Sequence, residues 1–317
     1  LNNLGNLYYS QGKYEAAESL FLKASEIYKI ALPENHPDTA SILNHVANLY
    51  KSQGKYENSE TLYQQSIEIY KIALPENHPN ITSSFNDLAG LYYLQGKYKD
   101  AEYWYLQARE IYKIALPENH PDIAMNFNNL AGLYYSKGKY EEAKHWYLKA
   151  LEIYKISLPR NHPNIASSLK NLANLYKYQG KYKDAEHLFL KALEINKIVL
   201  PENHPDIASI LNNQAELYCI QEKYEDAEHL FLKALEINKI VLPENHPDIA
   251  SILNNQAKLY CIQEKYEDAE HLFLKALEIN KIVLPENHPD IASILNNQAK
   301  LYCIQEKYED AEHLFLK

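Results

Sequence analysis

The sequence predicts an all-α solenoid of tandem helical hairpins, and three observations carry that prediction. The phrase "LPENHPDIA" at residues 200–208 recurs from Leu32, Leu74, Leu116, Leu158, Leu200, Leu242 and Leu284, always 42 residues apart, with small changes such as Arg160 for Glu and Asn80 or Asn164 for Asp. A catalytic loop is needed once, whereas seven copies at a fixed period mark a repeat architecture. All 14 prolines fall in these seven linkers, two in each, so the segments between them are open to helix. Within each segment apolar residues return at three- and four-residue spacing, the period of an amphipathic helix.

The unit 37–78 illustrates each element in turn. Ile42, Val46, Leu49 and Tyr50 define one helix. Tyr56, Ser59, Leu62, Tyr63, Ile67 and Tyr70 define a second after the "QGK" break. Gly54 stands at that break and accepts the positive φ that ends a helix in a tight turn, so the two helices should form an antiparallel hairpin. In the linker, Pro33 follows a helix, Glu34 and Asn35 make a turn, and His36 precedes a proline and is biased away from helix. Pro37 suits the first helical position, and Asp38 faces the positive end of the new helix dipole. The linker is therefore a helix stop and restart. Small residues recur at Ala17, Ala101, Ala143, Ala185, Ala227, Ala269 and Ala311, and again at Ala24, Ala108, Ala150, Ala192, Ala234 and Ala276. They permit close helix approach, with Tyr8, Tyr50, Tyr92 and Tyr134 filling the gaps. The expected organisation is one array over 1–317, with a partial unit at 1–36, then 37–78, 79–120, 121–162, 163–204, 205–246 and 247–288, and a partial unit at 289–317. Because it opens and stops in mid-pattern, the chain is expected to be a fragment.

Charge and composition narrow the function. Lys and Arg number 32 against 42 Asp and Glu, a formal net charge of -10, which argues against general affinity for nucleic acid or anionic membrane. No apolar run approaches a membrane span and the first residues have no signal-peptide character, so a cytoplasmic setting is expected. Cys219, Cys261 and Cys303 occupy equivalent places in successive repeats, on the order of 10 Å apart at helix-packing distances, too far for a disulfide or a shared zinc. The same spacing disposes of the linker histidines and of His187, His229, His271 and His313 as metal ligands. No Gly-rich phosphate loop or nucleophile elbow is present, so neither enzyme activity nor a cofactor or metal is expected.

The first unit carries Leu1, Leu4, Gly5, Tyr8, Ala17, Phe21 and Ala24, and this succession resembles the tetratricopeptide repeat. The period of 42, "HPDIA" at the first helix and "QGKY" at the turn are similar to the long-repeat subclass found in kinesin light chains. The resemblance implies a right-handed α-solenoid whose first helices line a concave surface that binds peptide segments of other proteins, as an adaptor or scaffold. Polar residues of the first helix outside the core spacing are then the candidates: Asn2, Asn3 and Asn6; Asn44, His45 and Asn48; Asn86 and Asp87; Asn128 and Asn129; Lys170, Asn171 and Asn174; Asn212 and Asn213; Asn254, Asn255 and Lys258; Asn296 and Asn297. An asparagine offers both a donor and an acceptor to a peptide backbone, and equally to a neighbouring repeat. Some relatives clamp a terminal carboxylate, and Lys170, Asn174 and Asn213 resemble three of the five groups. Ser251 and Asn255 stand where the basic pair belongs, with Lys258 one turn further on. Kinesin light chains suggest instead a groove for acidic peptides, with Lys51, Lys170, Lys177, Lys258 and Lys300 supplying charge. The alternatives are a regulatory arm of a larger signalling protein or enzyme, or a structural spacer. Trp104 and Trp146 on the second helices suit packing between neighbouring second helices or an outer docking patch.

The last units are near copies. Residues 205–246 and 247–288 differ only at Glu216 and Lys258, and 289–317 repeats the second version. They place Gln214, Gln256 and Gln298 at a core position and Glu222, Glu264 and Glu306 at the turn position held elsewhere by Gly. Each change costs about 1 kcal/mol, so the C-terminal third should be the less stable part.

Overall fold

The computed structural model describes residues 1–10, 13–284, 286 and 288–315; Gln11, Gly12, Pro285, Asn287, Leu316 and Lys317 lie outside the described residues. The described chain forms sixteen α-helices in eight hairpins. They are α1 (Asn2–Ser10) with α2 (Tyr14–Ala31), α3 (Pro37–Ser52) with α4 (Tyr56–Ala73), α5 (Pro79–Leu94) with α6 (Tyr98–Ala115), and α7 (Pro121–Ser136) with α8 (Tyr140–Ser157). They continue with α9 (Pro163–Tyr178) and α10 (Tyr182–Val199), α11 (Pro205–Ile220) and α12 (Tyr224–Val241), α13 (Pro247–Ile262) and α14 (Tyr266–Val283), and α15 (Pro289–Ile304) and α16 (Tyr308–Phe315). Two compact units result: 1–201, containing α1 to α10, and 202–317, containing α11 to α16.

The linker restarts a helix as expected, by a device the sequence reading did not include. The histidine before each Pro is the N-cap, extended at φ near -70°, and its Nδ1 accepts the backbone N–H two residues on. His36 accepts from Asp38 at 3.1 Å, His162 from Asn164 at 3.2 Å and His246 from Asp248 at 3.0 Å. The ring does what Ser or Asp does at other helix starts, satisfying one of the orphan amides. Pro at the next position costs nothing, because its missing N–H had no partner to lose.

The hairpin turn is a Schellman motif. Around Gly54, at φ 74°, Gly54 N–H reaches Lys51 O at 3.1 Å and Lys55 N–H reaches Tyr50 O at 2.8 Å. In the second unit Glu222, Glu264 and Glu306 take this conformation at φ 60–61°. Directly above the turn the lysine ammonium lies over the ring of the same tyrosine whose carbonyl its amide has bonded. This occurs in all eight hairpins, from Lys223 over Tyr218 at 4.8 Å to Lys13 over Tyr8 and Lys139 over Tyr134 at 5.5 Å.

Within each unit neighbouring hairpins share their cores. Ala17, Phe21 and Ala24 of α2 pack with Ile42, Val46 and Leu49 of α3, and Tyr105 of α6 packs with Leu130 and Leu133 of α7. The alanine positions are fully covered while Phe21, Tyr63, Tyr112, Phe189, Phe231 and Phe273 are the largest buried side chains, each contributing about 1.5–3 kcal/mol by burial. In five interfaces within the two units a glutamate on the second helix then staples a hairpin to the next turn. Glu60 accepts from Tyr92 Oη at 3.1 Å, Gln95 Nε2 at 3.3 Å and Lys97 Nζ at 3.3 Å. Glu18 accepts from Gln53 at 3.0 Å and forms an ion pair with Lys55 at 3.8 Å, and Glu270 accepts from Tyr302 at 2.8 Å and forms an ion pair with Lys307 at 3.6 Å. Within each unit successive first helices touch one another, α1 through α9 in the first and α11 through α15 in the second, while successive second helices stand further apart. Each stack is thus tighter along its first helices.

Trp104 and Trp146 pack within their own hairpins, and Trp146 also meets the neighbouring second helix. Their rings rest on their own hairpin's first helix, Trp104 on Phe85 at 4.8 Å and Trp146 on Phe127 at 4.7 Å, with Arg109 of α6 over Trp146 at 5.6 Å. A large aromatic on each helix fills the crevice of the hairpin first.

Two predictions follow from these local devices. Removing the cap with His162→Ala should cost about 1 kcal/mol in chemical denaturation, and His162→Asn, which keeps an acceptor, should cost less. In the second unit, where Gln256 is buried with only its Nε2 bonded, to Tyr260 Oη at 3.2 Å, the Glu264→Gly variant should gain about 1 kcal/mol by relieving the left-handed backbone.

Candidate peptide-binding face

Side chains on the first helices of the first unit form a polar ladder whose rungs join successive hairpins. Asn44 Nδ2 donates to Ser84 Oγ, Asn126 Nδ2 donates to Asn86 Oδ1 at 3.1 Å, and Ser168 Oγ donates to Asn128 Oδ1 at 3.1 Å. The residues Ser84, Asn126 and Ser168 did not figure among the sequence candidates; their equivalents in the second unit are the buried Ile210, Ile252 and Ile294. There the rung shifts by one turn, so that Asn255 donates to Asn212 at 3.3 Å and Asn297 to Asn254 at 3.1 Å. An amide that needs two kinds of partner finds one in the sister repeat.

Near the start of the first unit the ladder carries charge. Asn48 donates to Asp87 Oδ2 at 3.2 Å and accepts from Tyr63 Oη at 2.8 Å, and Lys51 lies 3.9 Å from Asp87 and over the Tyr63 ring. Burial lowers the Lys51 ammonium and Asp87 opposes that shift; burial also pushes the Tyr63 phenol well above its ordinary range. His45 stacks on Phe21 at 5.6 Å, with Nδ1 2.8 Å from Asn2 Oδ1 and Nε2 3.4 Å from Asn6 Nδ2. The consistent arrangement has Nδ1–H donating to Asn2 and Nε2 accepting from Asn6, a neutral ring. Desolvation lowers its pKa, against the pull of Asp87. A cavity of about 320 Å3 opens here between Asn44, His45, Asn48, Tyr70 and Asp87.

A second cavity of about 230 Å3 lies in the same unit, lined by Tyr93, Tyr105, Asn128, Asn129, Gly132, Tyr135, Tyr147, Asn171 and Asn174. Its floor exists because Gly132 replaces the Asn found at 48 and 174, leaving the Tyr147 hydroxyl 3.5 Å from where a Cβ would stand. Asn171 donates weakly to Asn128 Oδ1 at 3.5 Å, whereas Asn174 Oδ1 is buried without a partner and Asn129 makes no side-chain hydrogen bond among the described residues. Gly132 and the four tyrosines are site residues that the helix-face pattern missed; Gly90 and Gly132 breaking the asparagine series was the available signal. Burial raises the Tyr105 and Tyr147 phenols far out of the neutral range, so both serve as neutral hydroxyls.

The second unit has a cavity of about 260 Å3 lined by Asn212, Asn213, Asn254, Asn255, Lys258 and Asp290 among others. Lys258 is paired with Glu216 at 3.1 Å, and Asn213 Nδ2 turns back to Ser209 O in its own helix at 2.8 Å. Of the carboxylate-clamp residues, the half-buried Lys170 and Asn174 belong to the first unit and Asn213 to the second. The three cysteines are free, and burial pushes the Cys261 thiol up to about 11. Among the described residues no three His, Cys, Asp or Glu side chains converge as metal ligands would, and no helix is long and apolar enough to cross a membrane.

Hairpins of this form, stacked so that their first helices share a polar ladder, define a helical-repeat interaction fold. The chain belongs to the tetratricopeptide repeat family: the family's model matches residues 1–72, 38–114, 118–198, 206–282 and 248–317, and a second tetratricopeptide model matches 170–239. Among solved structures it is similar to BtubC (BKLC) from P. vanneervenii, at 24% identity and a TM-score of 0.52 over 70% of this chain and 87% of that one. It is also similar to a putative kinesin light chain with nearly identical repeats from Podosopora anserina, at 24% identity and a TM-score of 0.47 over 64% and 96%. A nucleotide-binding leucine-rich repeat (NLR)-like protein of Hyaloscypha variabilis is 51% identical over 39 residues, which span 12% of this chain and 4% of that protein.

The neutral state of His45 sets a pH dependence. Its folded pKa lies below the ordinary 6.5, so as pH falls the unfolded chain takes up the proton first and stability declines from about pH 6.5 down to the folded pKa. Urea denaturation at pH 7 and pH 5 should show a smaller loss for His45→Asn than for the wild type; equal losses would remove His45 as the cause.

Proposed function

We propose that the chain is a protein-interaction scaffold that binds an extended peptide segment of a partner along the first-helix face of its repeats, without catalysis or cofactor. The observation that carries this reading is the cavity above Gly132, where Asn129 and the buried Asn174 Oδ1 have no protein partner while the equivalent Asn48, Asn255 and Asn297 are bonded to neighbouring repeats. A peptide backbone supplies alternating N–H and C=O groups at the spacing such amides accept, and the tyrosine walls suit an apolar or aromatic side chain. The remaining candidates, Asn44, His45, Asn48, Asn86, Asp87, Asn128, Lys170, Asn171, Asn212, Asn213, Asn254, Asn255 and Lys258, act mainly as the rigid, prepaired wall that keeps this face open. A kinesin light chain-like adaptor role in the cytoplasm is the form of this function we favour.

A second reading is supported by the 39-residue likeness to the NLR-like protein: the array as the sensing arm of a larger signalling protein. Both readings require the same face to hold a peptide.

Peptides selected on the array from a random phage-displayed library supply the test. Their affinity should fall roughly tenfold or more in the Asn129→Ala, Asn174→Ala double variant, with circular dichroism and melting unchanged. Selection that yields no peptide, or peptides indifferent to both changes, would sink the proposal.

A further inference from the structure

Within the two units, the glutamate staple that joins one hairpin to the next has one exception. In five interfaces within the two units, Glu18, Glu60, Glu102, Glu228 and Glu270 sit at the same second-helix position and each meets a lysine of the following turn. Between α8 and α9 that position holds Lys144. The groups that would have received a glutamate are still there: Lys181, Gln179 and Tyr176 are the equivalents of Lys97, Gln95 and Tyr92, all of which donate to Glu60. Among the described residues Lys144 has no ion-pair partner, Lys181 has only the Tyr176 ring at 5.3 Å, and the side chain of Gln179, whose Oε1 is buried, makes no hydrogen bond. The notch is bordered by Tyr140 and Tyr178, whose rings stack at 4.2 Å, with Tyr178 60% exposed. Lys181, Gln179 and Tyr176 thus stand at positions that meet a carboxylate in sister interfaces, and Lys144 adds a second cation where the residue carrying that carboxylate would be.

We propose that this notch binds a carboxylate supplied by an acidic segment of a partner protein, with Lys144 and Lys181 as the charged contacts and Gln179 and Tyr176 as the neutral donors. The sister interfaces give the geometry of the filled state, with a carboxylate 3.3–3.8 Å from the lysine and about 3 Å from the amide and phenol. A side-chain carboxylate is the ligand these donors already take elsewhere in the chain, and the second ammonium strengthens the preference for an acidic stretch over an isolated acid. The site lies at the turn edge of the hairpins; Tyr140 and Tyr178 at its border touch Tyr135 of the cavity above Gly132, but none of its four donors lines that cavity.

Fluorescence anisotropy of a capped hexaglutamate peptide with the full chain, in buffer of about 50 mM salt, measures it directly. Lys144→Glu restores the internal staple and should weaken binding roughly tenfold or more, and Lys181→Gln should weaken it as well. Lys29→Glu, which changes net charge by the same amount at an exposed site on α2, should leave it unchanged. Equal binding by Lys144→Glu and the wild type would overturn the proposal, and so would an equal loss in Lys29→Glu, which would mean diffuse attraction. A phosphoserine peptide of matched charge that bound while hexaglutamate did not would overturn the carboxylate assignment.

Discussion

A hairpin of this chain has more apolar surface than its own two helices can cover. Phe21 and Ala24 need Ile42 and Leu49 of the next hairpin, as Tyr105 needs Leu130 and Leu133. Covering that surface by stacking is the constraint on which the rest depends, because a repeat that cannot close its own core must present the same complementary faces at each end. The alanines at fixed places keep the helices near enough for this, and the large aromatics take up the space the alanines leave. Once first helices approach one another more closely than second helices, their polar side chains are brought within bonding range of the repeat ahead.

The ladder is the consequence. Asparagine serves it because one side chain satisfies a donor and an acceptor in different directions, and the second unit shows how little the apolar core depends on which rung is used. Ile252 and Ile294 displace the serine rung and the asparagines pair one turn away. Such pairing stiffens the face and consumes amides, so recognition capacity concentrates where the series is interrupted. Gly132 interrupts it on the first-helix face and Lys144 interrupts the acidic series at the turn edge. In a repeat protein the informative residues are those that break the repeat.

Much of this was legible in the sequence. The 42-residue period, the Pro pair and, in the earlier repeats, the turn Gly mark two helices per repeat, because backbone rules act over a few positions and leave their mark locally. The role of His36 and its equivalents was not legible, since a ring nitrogen is a cap only in one rotamer and histidine is not a residue that signals one. Nor were the partners of Asn44, Asn86 and Asn128, which lie 40 residues away, nor the seating of Trp104 on its own hairpin, since helical periodicity assigns a face without saying what lies across it. The tyrosine-walled cavity was hidden for the same reason: Tyr105 and Tyr147 stand at the position of Tyr63 in the apolar pattern of the second helix, and they are buried while also lining the opening.

The near identity of the last units has a consequence for how such a chain changes length. Because α12 meets α13 through the same residues by which α14 meets α15, cutting out or adding one 42-residue module joins like to like and leaves no mismatched seam. The module is not neutral, however. Each copy of the later version adds a lysine at the position of Lys258 and Lys300, and only Lys258 has Glu216 behind it to cancel the charge. Copies spaced on the order of 10 Å stand about one screening length apart in physiological salt, so their potentials partly overlap. Growth by whole modules would then make this face progressively more electropositive, a dial turned in single steps by duplication alone.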